Sequence, residues 1–107
     1  MNGYDIDGVL SAGVKPVGPY IVISGRTADE FARTIAELGT KAPIYLRPYG
    51  EHGDQRLAGR WKADVITAAG VTVFFEDDPI QAAIIRGRCP RVRVVMIKDG
   101  REAGDAA

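Results

Sequence analysis

Asp5-Ile6-Asp7-Gly8-Val9-Leu10 is the stretch around which the rest of the chain can be read. Two carboxylates stand two residues apart at the end of a short extended segment, and a glycine follows them. Along a strand, residues i and i+2 point to the same face, so at a strand end both carboxylates can converge on one ligand. Gly8 lets the backbone turn sharply and lets a ligand come close to it. Two carboxylates in one place repel each other unless a cation or a shared proton offsets them. The same residues also suit an ordinary polar turn, because Asp and Gly dominate turns. The rest of the chain has to decide between the two.

The chain has 107 residues, with 46% hydrophobic and 26% charged content, which fits one small domain with a single core. Fourteen basic and 14 acidic residues give a formal net charge of zero, so no long-range field draws the chain to nucleic acid or membranes. A local basic patch is still allowed. One cysteine, Cys89, excludes an intrachain disulfide and a Cys-rich zinc site, and it is expected to be a small buried or semi-buried residue. No apolar run approaches the roughly 20 residues needed to span a bilayer. Met1-Asn2-Gly3-Tyr4 lacks the basic-then-apolar pattern of a signal peptide. The expectation is a cytoplasmic protein with no membrane partner.

Tyr4 to Asp7 reads as a short strand, and Ser11 to Pro19 as loop, with Pro16, Gly18 and Pro19 near its end. Tyr20-Ile21-Val22-Ile23 is a continuous apolar run, as expected for a strand buried on both faces of a parallel sheet. After Ser24-Gly25-Arg26, Thr27 and Glu30 match a helix capping box, and Phe31, Ile35 and Leu38 continue at helical spacing. Pro43 to Arg47 reads as a third strand, Pro48 to Gly59 as loop, and Arg60 to Ala69 as a helix with Trp61, Val65, Ala68 and Ala69 on one side. Val71 to Phe75 is the clearest strand, β-branched and aromatic throughout. Asp78 and Pro79 suit the cap and first position of a third helix with an Ile80, Ala83 and Ile84 stripe. Val92 to Ile97 is the last strand expected. Strands alternating with helices imply a parallel sheet with right-handed crossovers, and ligands then bind beyond the carboxyl ends of the strands. Asp5 and Asp7, Ser24, and Glu76-Asp77-Asp78 all fall there. Taken singly, Ser24 also suits a turn hydroxyl, Lys62 a solvated helix residue, and the acidic triplet a helix entry favoured by the macrodipole.

Taken together, these segments resemble the haloacid dehalogenase-like phosphohydrolases. Asp5 to Leu10 looks like the first motif of that superfamily, Ile23-Ser24-Gly25-Arg26 the second, Lys62 the third, and Phe75-Glu76-Asp77-Asp78 the fourth. The stretch from Pro43 to Arg56 with Gly53-Asp54-Gln55-Arg56, then Lys62, Asp77-Asp78 and Gln81, is similar to the phosphatase domains of phage polynucleotide kinase-phosphatases. The chain has no Gly-x-x-x-x-Gly-Lys-Ser/Thr loop for a kinase half, and its Ser11 to Pro19 loop is much shorter than theirs, with no helix before the second strand.

The resemblance implies a single α/β three-layer Rossmann-like domain at residues 1–97, with five parallel strands in the order 3-2-1-4-5, no cap domain, and a polar tail at 98–107. It implies Asp5 as the nucleophile and Asp7 as the general acid and base, with Ser24, Gly25 and Lys62 holding the phosphoryl group. A Mg2+ ion would be bound by Asp5, the Asp7 main-chain carbonyl and Asp77, with Asp78 and Glu76 in support. Arg26, Arg47, Arg56 and Arg60 would form a basic rim for a phosphodiester backbone, although as loop and strand-end cations they also fit solvated charges. His52 reads as a surface residue or a substrate contact. The function implied is a Mg2+-dependent phosphatase acting on a nucleic-acid end or nucleotide. The alternatives are a small-metabolite phosphatase closed by a neighbouring subunit, and a non-catalytic phosphate- or partner-binding module of the same fold.

Overall fold

The structure is a computed structural model, and it describes residues 1–48 and 54–103. His52, Gly53 and the end of the expected tail lie outside the described residues. Six strands, β1 (Asn2–Tyr4), β2 (Tyr20–Thr27), β3 (Ile44–Arg47), β4 (Val73–Glu76), β5 (Arg93–Lys98) and β6 (Arg101–Glu102), form one sheet in the order β3-β2-β1-β4-β5-β6. The first five are parallel, with Gly3 of β1 opposite Ile21 on one side and Phe74 on the other. Three helices connect them: α1 (Phe31–Leu38), α2 (Gln55–Ala69) and α3 (Pro79–Arg88).

The parallel order is the one expected, but the strand count is six rather than five. Asp99 and Gly100 both take positive φ, 53° and 75°, which closes a two-residue hairpin and lays β6 antiparallel on β5. Other elements also differ in extent. β2 runs on through Ser24-Gly25-Arg26 to Thr27, and α2 starts at Gln55 instead of Arg60 because the Asp54 carboxylate accepts the Arg56 N–H at 2.8 Å. The α3 stripe facing the sheet is Gln81, Ala82 and Ile85, while Ile80 is exposed. The polar Gln81 is part of the buried stripe, which apolar spacing alone cannot show.

Helices α2 and α3 cover one face of the sheet, where Ile21, Ile23, Ile66, Phe74 and Ile85 form the main core. Each such side chain contributes roughly 1.5–3 kcal/mol by leaving water. Gly59 sits where α2 meets α3, and a Cβ there would lie 3.1 Å from the Ile84 Cβ. On the opposite face Tyr4 stacks on Phe75 with ring centroids 4.4 Å apart and meets Tyr20 edge-on at 5.6 Å. No α-helix joins β1 to β2, so Val9 and Leu10 of the kinked π-turn Ile6–Leu10, with Val14 after it, cover that side. The Tyr4 hydroxyl accepts the Val17 N–H at 3.1 Å and ties the connection down.

Candidate functional site

The carboxyl ends of β1, β2 and β4 meet at one cavity of about 400 Å³. Asp5, Asp7, Gly25, Arg26, Lys62 and Asp77 line it, and so do Arg47, Asp78 and Gln81. Asp5 extends β1 by donating its N–H to the Phe75 carbonyl at 3.1 Å. Its Oδ1 accepts the Ile6 N–H at 2.8 Å, which fixes the carboxylate at the start of a wide turn through Leu10. Gly8 takes φ 77° in that turn, and an added Cβ would lie 1.9 Å from Asp77 Oδ2. The first acidic pair and the fourth-strand acids are thus pressed together at a position that only glycine fills.

Lys62 projects from α2 into the base of the site. It is 1% exposed, with Nζ 2.7 Å from Glu76 Oε1 and 3.1 Å from Asp5 Oδ2. Burial alone would lower the Lys62 pKa, but the charges of Asp5 and Glu76 outweigh it and hold the ammonium above its usual range. Burial raises Glu76 well above the ordinary carboxylate range, and the Asp5 charge adds to that against the pull of Lys62. Asp77 is raised by burial and then by Asp5.

Carboxylate oxygens of Asp5, Glu76 and Asp77 lie within 4.8 Å of one another, a group that could hold a metal ion. One ammonium faces three carboxylates, so the cluster is short of positive charge. Both Glu76 oxygens are already engaged, Oε1 by Lys62 and Oε2 by the N–H groups of Asp77 and Asp78 at 3.1 and 3.2 Å. Both Asp5 oxygens are engaged as well, Oδ1 by the Ile6 N–H and Oδ2 by Lys62, so each of the three carboxylates would share its oxygens between these contacts and a cation.

Asp7 lies at the more open end, its side chain 66% exposed, and it takes a two-pronged bond from Arg26. Arg26 Nε is 3.0 Å from Asp7 Oδ2 and Nη2 is 2.8 Å from Oδ1. That hydrogen bonding holds the Asp7 carboxyl below its usual range, against the effect of burial. The remaining Arg26 nitrogen, Nη1, donates to Glu37 at 2.8 Å and to Thr34 at 3.2 Å on α1.

Not every expected residue meets the cavity. Ser24 is fully buried, its Oγ accepting the Arg26 N–H at 3.1 Å, and it does not line the cavity, whereas Gly25 does. Arg56 and Arg60 are exposed on α2 outside the cavity, because the helix starts before them and turns them away from the strand ends. Arg47 is not a solvated rim charge: it is 4% exposed, with Nε donating to the Gly25 carbonyl at 2.9 Å. Arg33 and Glu30 line the cavity without having been singled out in the sequence. The sequence marks Glu30 only as the acid of the capping box, and Arg33 lies three residues on, in i,i+3 pairing distance of it.

No protein-family model matches the chain, and no match is found among curated proteins or solved structures. No helix among the described residues is long and apolar enough to cross a membrane.

Proposed function

We propose that the chain is a Mg2+-dependent phosphatase of the haloacid dehalogenase-like kind, hydrolysing a phosphomonoester on a nucleotide or nucleic-acid end through an aspartyl-phosphate. The observation that carries this reading is the buried Lys62 ammonium held between Asp5 and Glu76 at the floor of a cavity that Asp7 and Asp77 also line. A carboxylate fixed beside a buried cation, with a cation-deficient acidic pair next to it, suits attack on an anionic phosphoryl group. Asp5, Asp77 and the Asp7 main-chain carbonyl would hold Mg2+, which when bound offsets repulsion between the attacking carboxylate and the phosphate.

In this reading an Asp5 oxygen bonds to phosphorus as the bond to the leaving oxygen breaks. Asp7 gives that oxygen a proton, then takes one from the water that attacks the aspartyl-phosphate. The products are an alcohol and inorganic phosphate, and both aspartates are restored. Lys62 neutralises charge on the phosphoryl group throughout. Arg26 favours the carboxylate form of Asp7, which is the base form. For the acid step Arg26 has to release Asp7, and Thr34 and Glu37 hold its other nitrogen meanwhile.

The test is a phosphatase screen of nucleotides, sugar phosphates and phosphorylated oligonucleotides, with Mg2+ and with EDTA. Turnover is expected with Mg2+ only. In Asp5→Asn it should vanish while circular dichroism shows a folded chain. Substantial activity in that variant overturns the aspartyl-phosphate mechanism.

A further inference from the structure

A second cavity, of about 290 Å³, lies between the β1–β2 connection and α1 and shares no lining residue with the first. Ile6 and Leu10 of the kinked π-turn, with Val14 after it, form one wall, and Leu38 at the end of α1 stands on the other. Both walls are fixed by hydrogen bonds of the chain itself. The Gly13 N–H donates to the Leu10 carbonyl and the Val14 N–H to the Val9 carbonyl, each at 3.1 Å. The Tyr4 hydroxyl holds Val17 further along the same loop. On the α1 side the hydroxyls of Tyr20 and Thr40 meet at 2.5 Å and tie β2 to the residues just past the helix. The cavity is therefore built into the fold, as small-molecule sites usually are, and it falls just under the roughly 300–1,000 Å³ that such sites span.

Two charged side chains line it, Glu37 and Lys15, and they are not alike. Glu37 is already matched, with Oε2 2.8 Å from Arg26 and Oε1 3.6 Å from Arg33. Lys15 is exposed and has no carboxylate partner among the described residues. The uncompensated charge at this cavity is thus positive, and it stands beside apolar walls. A ligand with an apolar body can leave water against Ile6, Leu10, Val14 and Leu38, and each methylene so buried gains about 0.8 kcal/mol. A negative head on that body meets the Lys15 ammonium at the open side. A cationic head meets like charge there, and a neutral one leaves the ammonium unused.

We propose that this second cavity is a binding site for a small organic anion with an apolar body, such as a short alkyl carboxylate, its body against Ile6, Leu10, Val14 and Leu38 and its head on Lys15. The site goes beyond the phosphatase reading and does not depend on it, since neither Asp5, Asp7 nor Lys62 lines this cavity. It adjoins the first one all the same. Ile6 follows Asp5 in the chain and donates its N–H to that carboxylate, and Glu37 holds Arg26. An occupant would lie directly behind both.

The experiment titrates the full chain with acetate, butyrate, hexanoate and hexylammonium at low salt, following backbone amides by nuclear magnetic resonance. Hexanoate should bind saturably, and affinity should rise from butyrate to hexanoate by up to about fourfold per added methylene. Hexylammonium should bind about fivefold more weakly than hexanoate, or worse. Shifts on adding hexanoate should centre on the amides of Leu10, Val14 and Leu38 and leave Gly25, Ala58 and Asp77 in place. In Lys15→Glu hexanoate affinity should fall about fivefold or more, with the difference narrowing as salt rises, because an exposed charge pair is screened. Lys15→Arg should keep the wild-type affinity. Lys15 is exposed, so both variants should fold, and thermal unfolding establishes it. Four results each overturn the site: no saturable binding of hexanoate, shifts centred on the first cavity, equal affinity for hexanoate and hexylammonium, or unchanged affinity in folded Lys15→Glu.

Discussion

Replacing Lys62 with methionine keeps the length of the stem and removes the charge. The ammonium lies 2.7 Å from Glu76 and 3.1 Å from Asp5. At an effective dielectric of about 20 these contacts are worth about 6 and about 5 kcal/mol of gross attraction. Most of that is cancelled by the cost of burying the ammonium, which the variant no longer bears. What remains is the penalty of leaving two buried carboxylates side by side, and breaking a buried pair by removing one partner costs about 3–5 kcal/mol. For a domain of this size about 4 °C in Tm corresponds to each kcal/mol, so Lys62→Met should melt roughly 12–20 °C below wild type at pH 7. The pH dependence supplies a sharper test. The folded-state pKa of Glu76 already lies above its ordinary value through burial and Asp5. A raised carboxyl pKa contributes stability below the unfolded value and loses it as pH rises through the folded value. Without Lys62 the Glu76 pKa rises further, so the deficit at pH 7 should shrink on going to pH 5. Lys62→Met/Glu76→Gln should recover most of the loss at pH 7, since one buried charge is gone. Melting curves by circular dichroism decide it. A Lys62→Met variant within about 1 kcal/mol of wild type, with no change between the two pH values, would refute the buried-charge argument.

Two further outcomes follow from the geometry. Arg26→Gln should destabilise the fold by up to about 1 kcal/mol at pH 7, since the Asp7 side chain is 66% exposed and exposed pairs are weak. Because Arg26 holds the Asp7 pKa below 3.8, that contribution is present above this value and is lost as pH falls through the folded pKa. Urea midpoints of variant and wild type should converge in acid, and a gap that widens there would count against the pairing. Gly8→Ala puts a non-glycine residue at φ 77° with its Cβ 1.9 Å from Asp77 Oδ2. A loss of about 2 kcal/mol or more is expected from strain and clash together, and under the proposed Mg2+ reading a weakened Mg2+-dependent rise in Tm. Wild-type stability and an intact Mg2+ effect in this variant would show that the turn and Asp77 are not pressed together.

The central strands were legible because they are buried on both faces. Tyr20 to Ile23 is an unbroken apolar run, Val71 to Phe75 is β-branched or aromatic at every position, and the alternation with helices implied a parallel sheet, while the strand order came from the resemblance alone. The hairpin to β6 was missed because Arg101 and Glu102 have no apolar alternation, although Asp99-Gly100 is a recognised two-residue turn pair. The start of α2 was missed because Gly59 reads as a loop residue. In the structure it is a buried contact that lets α3 approach. In the site, Asp5 and Asp77 could be placed from their order at strand ends, whereas Lys62, expected at a helix start, lies in the middle of α2. The burial of Arg47 could not, since a charge followed by proline at a strand end looks solvated in any single sequence.

The short connection between β1 and β2 has a consequence for the site. With only a short π-turn there, α1 buries little apolar surface: Phe31 and Ile35 are 49% and 41% exposed, and the one fully buried residue of α1 is Thr34. Thr34 and Glu37, the polar face of α1, both bind Arg26, and Arg26 binds Asp7. Two of the contacts that tie the helix to the domain therefore run through the same guanidinium that binds Asp7. Apolar packing is insensitive to pH and to bound anions, whereas these bonds respond to both. Any ligand that draws Arg26 off Asp7 also alters what secures α1. The stability of this edge and the protonation of Asp7 are in that sense two readings of one set of contacts.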